Sequence, residues 1–406
     1  MSNKEPLRIG IVGAGGRGVG GYLRYFEKSP IKAEVTAIAD PSAINVEYCL
    51  KVLTHQAHQP AVYQDWREML DKEDHFDGMI IATPNFLHGA PALASLEKGV
   101  RAMALEKPLA NTPEECRLIL RRSEELSVPI QLGFVFRSAP FFSTVKRLLQ
   151  EGVVGRIVSM QADELVSART TSVNFRGPWR KYAAKSGGSL LEKCCHDMDL
   201  LTWFAGSRPA AVSSFGGRLV FQASAALPDR CGSHCPAKDN CPYYIGNDSM
   251  SNFPGEGKVE PLCVYNAGGD VVDHQSVHIQ YENGIVCNFL MNFNAGGDRS
   301  GRNLHIVGTR GRLWGNEAEL AVMTHDMATD QVTRHPFERE NTAHSGGNRI
   351  HAEEFLRLVA GETTSPVAGV YDAYLSAMLC FAADRARLER RLVGIRYPLE
   401  KEMELV

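Results

Sequence analysis

Long apolar runs, an excess of positive charge and a compact disulfide pattern are all missing from this 406-residue chain. No run of about 18 apolar residues occurs, and the first residues, Met1 to Pro6, are short and polar, so we expect neither a membrane span nor an export signal. Lys and Arg number 44 against 47 Asp and Glu, which argues against nucleic acid as the main partner. Ten scattered cysteines favour a reduced, cytoplasmic protein.

What is present is the composition of an ordinary globular protein, with 44% hydrophobic and 22% charged residues, and enough length for two domains. Up to residue 135, strand and helix signals alternate with short connections, which predicts a doubly wound parallel α/β sheet. The rest, 136–406, predicts an α+β domain with an open, mostly antiparallel sheet, a cysteine-rich insertion near 222–270 and C-terminal helices.

A glycine-rich turn follows the first apolar run, Leu7 to Val12. A helix is predicted over Val19 to Glu27, and a second apolar run ends in Asp40. In the G-x-G-x-x-G pattern the glycines permit a tight turn, close approach of a pyrophosphate and close packing of helix on strand. An acid at the end of the second strand accepts bonds from a ribose hydroxyl and repels a 2′-phosphate, so NAD is favoured over NADP. A surface turn alone would not explain the flanking elements.

Two further loops, Thr83-Pro84-Asn85 and Glu106-Lys107-Pro108, lie at the carboxyl ends of predicted strands, where doubly wound sheets bind their ligands. Lys107 lies where the nicotinamide is expected, which suits a base for a hydroxyl proton, although an ordinary exposed lysine is the alternative. The predicted cofactor-binding residues are Gly13, Gly15, Gly16, Arg17, Gly18, Asp40, Thr83, Pro84, Asn85, His88, Glu106 and Lys107.

A helix predicted over 189–204 carries Glu192 and His196 at i and i+4, hence on one face. Histidine titrates near neutral pH and can relay a proton, and the acid can orient its ring; a structural salt-bridged pair is the alternative. We predict Lys107, His196 and Glu192 as catalytic. Trp179 and Arg180 offer a sugar-stacking ring beside a forked donor. The predicted substrate residues are Arg137, Trp179, Arg180, Lys193 and His274.

Together the glycine turn, Glu106-Lys107-Pro108, Gly155 and the helix from Gly187 to Asp199 resemble the Gfo/Idh/MocA oxidoreductases, over essentially the whole chain. The resemblance implies a Rossmann domain, an open-sheet substrate domain and bound NAD or NADP. Where the family has Asp four residues before the helix histidine, this chain has Glu192.

The resemblance implies hydride transfer from a secondary hydroxyl of a sugar, polyol or glycoside, with Lys107 and His196 taking the proton. Two alternatives stay open. One is an NAD-dependent, redox-neutral glycosidase that oxidises, eliminates, adds water and reduces; the other is a non-catalytic NAD-binding regulator. An exposed open sheet further predicts a homo-oligomer, either a dimer or a tetramer.

A second constellation lies in the proline-rich insertion, which contains Cys231, Cys235 and Cys241. Tetrahedral thiolate ligation of Zn²⁺ would hold such a loop, with Cys263 or His234 as the fourth ligand. An iron–sulfur cluster and free thiols remain alternatives. We predict a structural Zn²⁺ held by Cys231, Cys235, Cys241 and Cys263.

Overall fold

A computed structural model describes residues 5–245, 261–295, 301–338, 346–399 and 401–406, so the predicted insertion is described except for 246–260. The chain divides into two compact units. The described part of the first unit comprises residues 5–138 and 346–374, and the other described residues form the second. Among the described residues, no helix is long and apolar enough to cross a membrane.

A parallel sheet forms the centre of the first unit. In the described chain its six strands are β1 Leu7–Val12, β2 Ala33–Ala39, β3 Ala61–Tyr63, β4 Gly78–Ile81, β5 Ala102–Leu105 and β6 Ile130–Leu132, in the order β3-β2-β1-β4-β5-β6. Every residue of β4 and β5 is buried, as expected for strands covered on both faces. The strand order reverses between β1 and β4, which is where such sheets bind ligands. The predicted doubly wound sheet is confirmed.

A mixed, mostly antiparallel sheet forms the second unit. Its ten described strands are β7 Ile157–Leu165, β8 Pro209–Gly217, β9 His274–Tyr281, β10 Val286–Asn292, β11 Gly301–Gly308, β12 Gly311–Asn316, β13 Ala321–Asp326, β14 Val332–Pro336, β15 Val393–Leu399 and β16 Glu402–Leu405. Strands β7 and β10 pair in parallel, whereas the other described neighbours are antiparallel. Buried and exposed residues alternate along β10, so one face of the sheet is packed and the other is open, as predicted.

Helices pack against each of these sheets. They are α1 Gly16–Gly21, α2 Ala43–Val52, α3 Trp66–Lys72, α4 Gly89–Glu97, α5 Pro113–Glu125, α6 Pro140–Gln150, α7 Ala168–Arg176, α8 Ala183–Ser186, α9 Ser189–Ala205, α10 Gly347–Val359 and α11 Val370–Glu389, with 3₁₀ turns at Leu23–Tyr25, Asn85–Leu87 and Val135–Ser138. Helix α9 ends because Gly206 adopts a left-handed conformation, with φ +59°.

Helix α10 lies in a different unit from the one that the predicted domain boundary gives it. The sequence assigns everything beyond residue 135 to the second domain, but α10 belongs to the first unit. Its apolar residues Ala352, Phe355, Leu356 and Val359 are completely buried in one core cluster with strand residues such as Ile9. Burial of this apolar face explains why the chain returns to the first unit.

One local prediction also differs, and two elements were not predicted. The helix predicted over Val19 to Glu27 is the shorter α1 followed by a 3₁₀ turn, in a segment rich in glycine, the weakest helix former after proline. Helix α7 and strand β3 carry no sequence signal that we recognised.

Candidate functional site

The glycine turn between β1 and α1 needs its glycines for packing. Gly13 has φ +92°, and a Cβ there would lie 2.6 Å from the backbone carbonyl of Ala82, directly after β4. A Cβ on Gly18 would collide with the carbonyl oxygen of Gly13. A side chain at either position would therefore push the turn away from the sheet, which supports the predicted role of these two glycines.

Asp40 lies at the carboxyl end of β2, against the same turn. Its carboxylate accepts hydrogen bonds of 2.8 Å from the backbone amides of Ala14 and Ser42, and one of 3.2 Å from the side-chain amide of Asn45. The residue is only 8% exposed. The chain thus holds a buried negative charge at the edge of the glycine turn.

Arg17 and Glu106 join the glycine turn to the end of β5. The Arg17 guanidinium donates to Glu106 Oε1 at 2.7 Å and to Asn348 Oδ1 of α10 at 3.2 Å. Burial opposes ionisation of Glu106, but the charge of Arg17 lowers the pKa of Glu106 below its usual range. The backbone amide of the half-buried Lys107 donates to Glu106 Oε2 at 3.3 Å. Sequence reasoning missed Asn348, since no motif surrounds it.

A second buried pair lies behind this one. The hydroxyl of Tyr22 is 3.2 Å from His351 Nε2, and both residues are at most 2% exposed. Burial lowers the pKa of His351 to about 4, and the neighbouring charges of Glu106 and Arg17 act in opposite directions on it. His351 is therefore neutral near pH 7.

The loop after β4 contains Thr83, Pro84, Asn85 and His88, all predicted to bind cofactor. Asn85 is 3% exposed, and His88 is fully buried. Nδ1 of His88 lies 2.7 Å from the carbonyl oxygen of Pro108, and its Nε2 lies 2.9 Å from that of Thr83. Both ring nitrogens of His88 therefore face the protein's own backbone.

In the second unit, α9 carries Glu192 and His196, which are 5% and 6% exposed. Arg180 donates from Nε to Glu192 Oε1 at 2.9 Å, and its guanidinium lies 4.2 Å from the ring centre of Trp179. The structure thus links Trp179, Arg180 and Glu192 into one polar–aromatic group. The sequence-predicted catalytic roles of Glu192 and His196 stay predictions.

A buried ionic cluster lies beside these residues on α9. Lys193 pairs with Glu164 of β7 at 2.7 Å, and Glu164 pairs with Arg302 of β11 at 2.9 Å. Arg302 in turn donates two hydrogen bonds to Asp197, at 2.8 and 3.2 Å. Burial raises the pKa of Asp197 to about 6, whereas the two cations lower the pKa of Glu164 against its own burial.

Sequence reasoning placed Lys193 in the substrate cavity and missed its partners. A signal was present, because Glu164 and Arg302 occupy inward positions of alternating strands, and they are directly opposite in register. A charge on the apolar face of a strand needs a partner of opposite charge. The substrate-binding role of Lys193 stays a prediction.

Two further predicted substrate residues have partners of their own. Arg137 lies in the first unit, buried, with its guanidinium 3.0 Å from Asp372 and donating to the carbonyl of Val367 at 2.7 Å. His274 Nδ1 lies 2.8 Å from Asp273 in the second unit. Burial opposes ionisation of Asp273, yet its hydrogen bonds to His274 and to backbone amides lower its pKa.

The predicted zinc cysteines are described, and three of them approach one arginine. Cys231 and Cys263 flank a backbone bridge, through amide donations to Pro261 at 2.6 Å and to Asp229 at 2.8 Å. The Arg176 guanidinium interacts electrostatically with Cys231, Cys241 and Cys263. Nevertheless, no group of three or more His, Cys, Asp or Glu side chains with the arrangement of a metal site occurs among the described residues.

The parallel sheet, its glycine turn and the acid at the end of β2 define an NAD-binding Rossmann domain, attached to a second, sheet-based domain. Residues 7–134 match the model of the oxidoreductase family with an NAD-binding Rossmann fold, and residues 142–314 match that of the GFO/IDH/MocA C-terminal domain. The chain belongs to the Gfo/Idh/MocA oxidoreductases, which confirms the resemblance noted in the sequence.

Individual relatives narrow the comparison. The levoglucosan dehydrogenase of Pseudarthrobacter phenanthrenivorans is 26% identical over 371 residues, 88% of this chain and 86% of that protein. The 2,7-anhydro-N-acetylneuraminate hydratase of Mediterraneibacter gnavus is 30% identical over 166 residues, 40% of this chain and 42% of that protein. A solved levoglucosan dehydrogenase in complex with NADH and levoglucosan has the same fold, with a TM-score of 0.74, 21% identity and coverage of 97% of this chain and 100% of that one.

Proposed function

We propose that this oxidoreductase oxidises a secondary hydroxyl of a sugar, polyol or glycoside, with Lys107 exchanging the hydroxyl proton. One observation carries the proposal for Lys107. The side chain of Glu106 bonds both Arg17, next to the glycine turn, and the amide of Lys107. The end of β5 is thereby fixed to the turn that NAD requires, and Lys107 is the proton-carrying residue at that point.

The residues around the turn fit NAD. Gly13 and Gly18 permit the tight turn and the close packing of helix on strand, Gly15 leaves the backbone accessible to a pyrophosphate, and Arg17 adds a cation beside it. The buried carboxylate of Asp40 suits a ribose hydroxyl and disfavours a 2′-phosphate. When bound, NAD supplies the hydride acceptor. The chain supplies the proton acceptor, Lys107, and the frame around it.

On α9, we propose His196 as a second acid–base group and Glu192 as the acid that orients its ring. Trp179 stacks on a sugar ring in this proposal, as its contact with Arg180 keeps a polar donor next to an aromatic face. The sugar class is supported by the dehydrogenase relatives, which act on levoglucosan and on inositol by name.

A substrate panel tests this proposal. Purified protein with NAD is mixed with free sugars, polyols, anhydrosugars and aryl glycosides, and reduced nicotinamide is followed by absorbance. The expected result is NADH formation from at least one compound, slowed about 10²-fold or more in Lys107→Ala and unchanged in Lys51→Ala, whose side chain is 70% exposed. Wild-type turnover in Lys107→Ala contradicts the role of Lys107.

The redox-neutral glycosidase remains a second candidate because of the hydratase relatives, which process an anhydrosugar by name without net oxidation. Incubation of an aryl glycoside with catalytic NAD in D₂O separates the two. Aglycone release with deuterium in the product sugar and no net NADH identifies the glycosidase. NADH accumulation from a free sugar identifies the dehydrogenase. The absence of both signals favours a non-catalytic regulator.

For the cysteine insertion we propose one structural Zn²⁺ per chain, held by Cys231, Cys235, Cys241 and Cys263. The support is the backbone bridge that joins the Cys231 and Cys263 segments, together with the electrostatic interaction of Cys231, Cys241 and Cys263 with Arg176. Elemental analysis of protein purified without a metal-binding tag is expected to give one zinc, lost in Cys241→Ala and kept in Cys116→Ala, which is buried elsewhere. Absence of zinc, or iron with visible absorbance, rejects the assignment.

We further propose that the open face of the second sheet joins two copies of the chain. Phe215 of β8 and Val286 and Leu290 of β10 are 69%, 49% and 41% exposed there, with β9 between the two strands. Exposed apolar side chains on a wide sheet favour a partner face of the same kind. Sedimentation is expected to give a dimer or tetramer that Leu290→Glu dissociates, whereas Leu388→Glu, at a side chain of α11 that is 70% exposed, leaves it intact. A monomeric wild type contradicts the proposal.

A further inference from the structure

The strand-end loops that follow β4 and β5 are joined through one side chain. His88 is fully buried and lies at the start of α4, immediately after the 3₁₀ turn Asn85–Leu87. Its ring spans from the carbonyl of Thr83, in the first loop, to the carbonyl of Pro108, in the second, with distances of 2.9 and 2.7 Å. Pro108 directly follows Lys107, so this contact is adjacent to the proposed proton-exchanging residue.

We propose that His88 is a positioning residue, which fixes the Lys107 loop against the Thr83 loop rather than binding the cofactor itself. The inference rests on the role of Lys107 in the proposed function. With both ring nitrogens directed at backbone carbonyls, neither is left for a ligand, which departs from the sequence-based assignment of His88 to the cofactor.

The number of protons on the His88 ring decides how many of its two carbonyl contacts are hydrogen bonds. A carbonyl accepts and does not donate, so the neutral ring satisfies one of the two carbonyls and the protonated ring satisfies both. Burial lowers the pKa of His88, while its backbone contacts and the charge of Glu106 raise it and Lys107 opposes them. The shorter contact is the one to Pro108, and the neutral ring is expected to donate there.

Two amide substitutions separate the two contacts. The side-chain nitrogen of Asn occupies about the place of the ring Nδ1, and that of Gln about the place of Nε2. His88→Asn therefore keeps a donor toward Pro108, and His88→Gln keeps one toward Thr83. His88→Phe retains a ring without either donor. His58→Phe, at a side chain that is 85% exposed, is the matched control.

Two readouts are measured on the full-length protein. One is kcat and KM for the substrate found in the panel, and the other is the pH dependence of amine labelling at Lys107, followed by mass spectrometry. We expect His88→Phe to lower kcat about 10- to 100-fold, because small displacements of a reacting group have effects of that order, with NAD affinity changed less than threefold. The Lys107 labelling profile is expected to shift. His88→Asn should restore both readouts more fully than His88→Gln, and His58→Phe should change neither.

Each alternative outcome is distinct. If Lys107→Ala keeps turnover, the proposed function fails, and labelling alone then decides whether His88 still orders the loop. If Lys107→Ala is inactive but His88→Phe matches the wild type in kcat and in labelling, the inference is wrong. A tenfold or greater loss of NAD affinity in His88→Phe with unchanged Lys107 labelling would instead make His88 a cofactor ligand. If His88→Phe does not fold, the comparison of His88→Asn with His88→Gln decides, and equal behaviour of the two overturns the proposal.

Discussion

Acid should destabilise the first unit through the buried, neutral side chain of His351. His351 of α10 is 2% exposed and faces Tyr22, Glu106 and Arg17, while its backbone carbonyl accepts from Gln131. An unfolded histidine has a pKa near 6.5, whereas burial lowers the pKa of His351 to about 4. Between these two pKa values, the unfolded chain therefore binds the proton more readily than the folded chain does. Unfolding becomes more favourable as the pH falls through this range.

The direction and size of the effect follow from this difference. Stability contributed by the neutral ring is fully present above pH 6.5 and is lost as the pH falls toward 4. The difference corresponds to about 3 kcal/mol at pH 4, of which about 2 kcal/mol is already lost at pH 5. Glu354, on the same helix, acts oppositely, because burial raises its pKa to about 7 and its contribution is lost as the pH rises. The wild-type profile alone thus mixes both groups.

Variant pairs isolate the histidine. The free energy of unfolding is measured by urea titration at pH 7.5, 6, 5 and 4.5 for the wild type, His351→Gln, Glu354→Gln and the exposed control His58→Gln. Relative to His351→Gln, the wild type is expected to lose about 2 kcal/mol between pH 7.5 and pH 5. Relative to Glu354→Gln, the wild type should instead gain free energy of unfolding as the pH falls. The pH profile of His58→Gln should run parallel to that of the wild type. Parallel curves for the wild type and His351→Gln would refute the assignment of a neutral, buried His351.

Three further predictions concern the cofactor, the chemistry and the core. Calorimetry should show NAD binding at least about tenfold more tightly than NADP, about 1.4 kcal/mol, with the gap narrowed in Asp40→Ala; equal affinities contradict this. Lys107→Ala and His196→Ala should each lower kcat about 10²- to 10⁴-fold, the former with NAD affinity nearly intact, and a variant with wild-type turnover removes that residue from the mechanism. Arg302→Leu should lower the free energy of unfolding by about 3–5 kcal/mol, since it leaves the buried carboxylate of Asp197 without its cation and Glu164 with Lys193 alone. The exposed control Arg334→Leu should change little, and a loss below about 1 kcal/mol for Arg302→Leu in urea titrations argues against the ionic cluster.

Local patterns predicted the parts of the fold that local forces determine. The apolar runs of β1, β4 and β5 were recognisable because strands that are buried on both faces are nearly continuous apolar runs in the sequence. Strand β3, which spans Ala61–Tyr63 at the edge of the sheet, is too short to form such a run.

The residues of the candidate site also divide into those that the sequence predicts and those that it does not. Gly13, Gly18 and Asp40 were predictable, because the turn imposes residue types at fixed spacing. The partners Asn348 and His351 were not, since they reach the glycine turn from a helix more than 300 residues further along the chain. The sequence near α10 does not indicate which strand the helix covers, because that choice depends on tertiary packing in the core around Phe355.

The charges of α9 fall into two sets that the sequence presents as one. Successive helical residues point about 100° apart, so Lys193 and Asp197 lie on a different face from Glu192 and His196. The first pair is neutralised by Glu164 and Arg302 of the sheet, which fixes the rotation of the helix about its own axis. A helix held in this way carries its second pair, Glu192 and His196, in a set direction. The ionic cluster thus stabilises the orientation on which the proposed chemistry of α9 depends, and Lys193 contributes to it through the core.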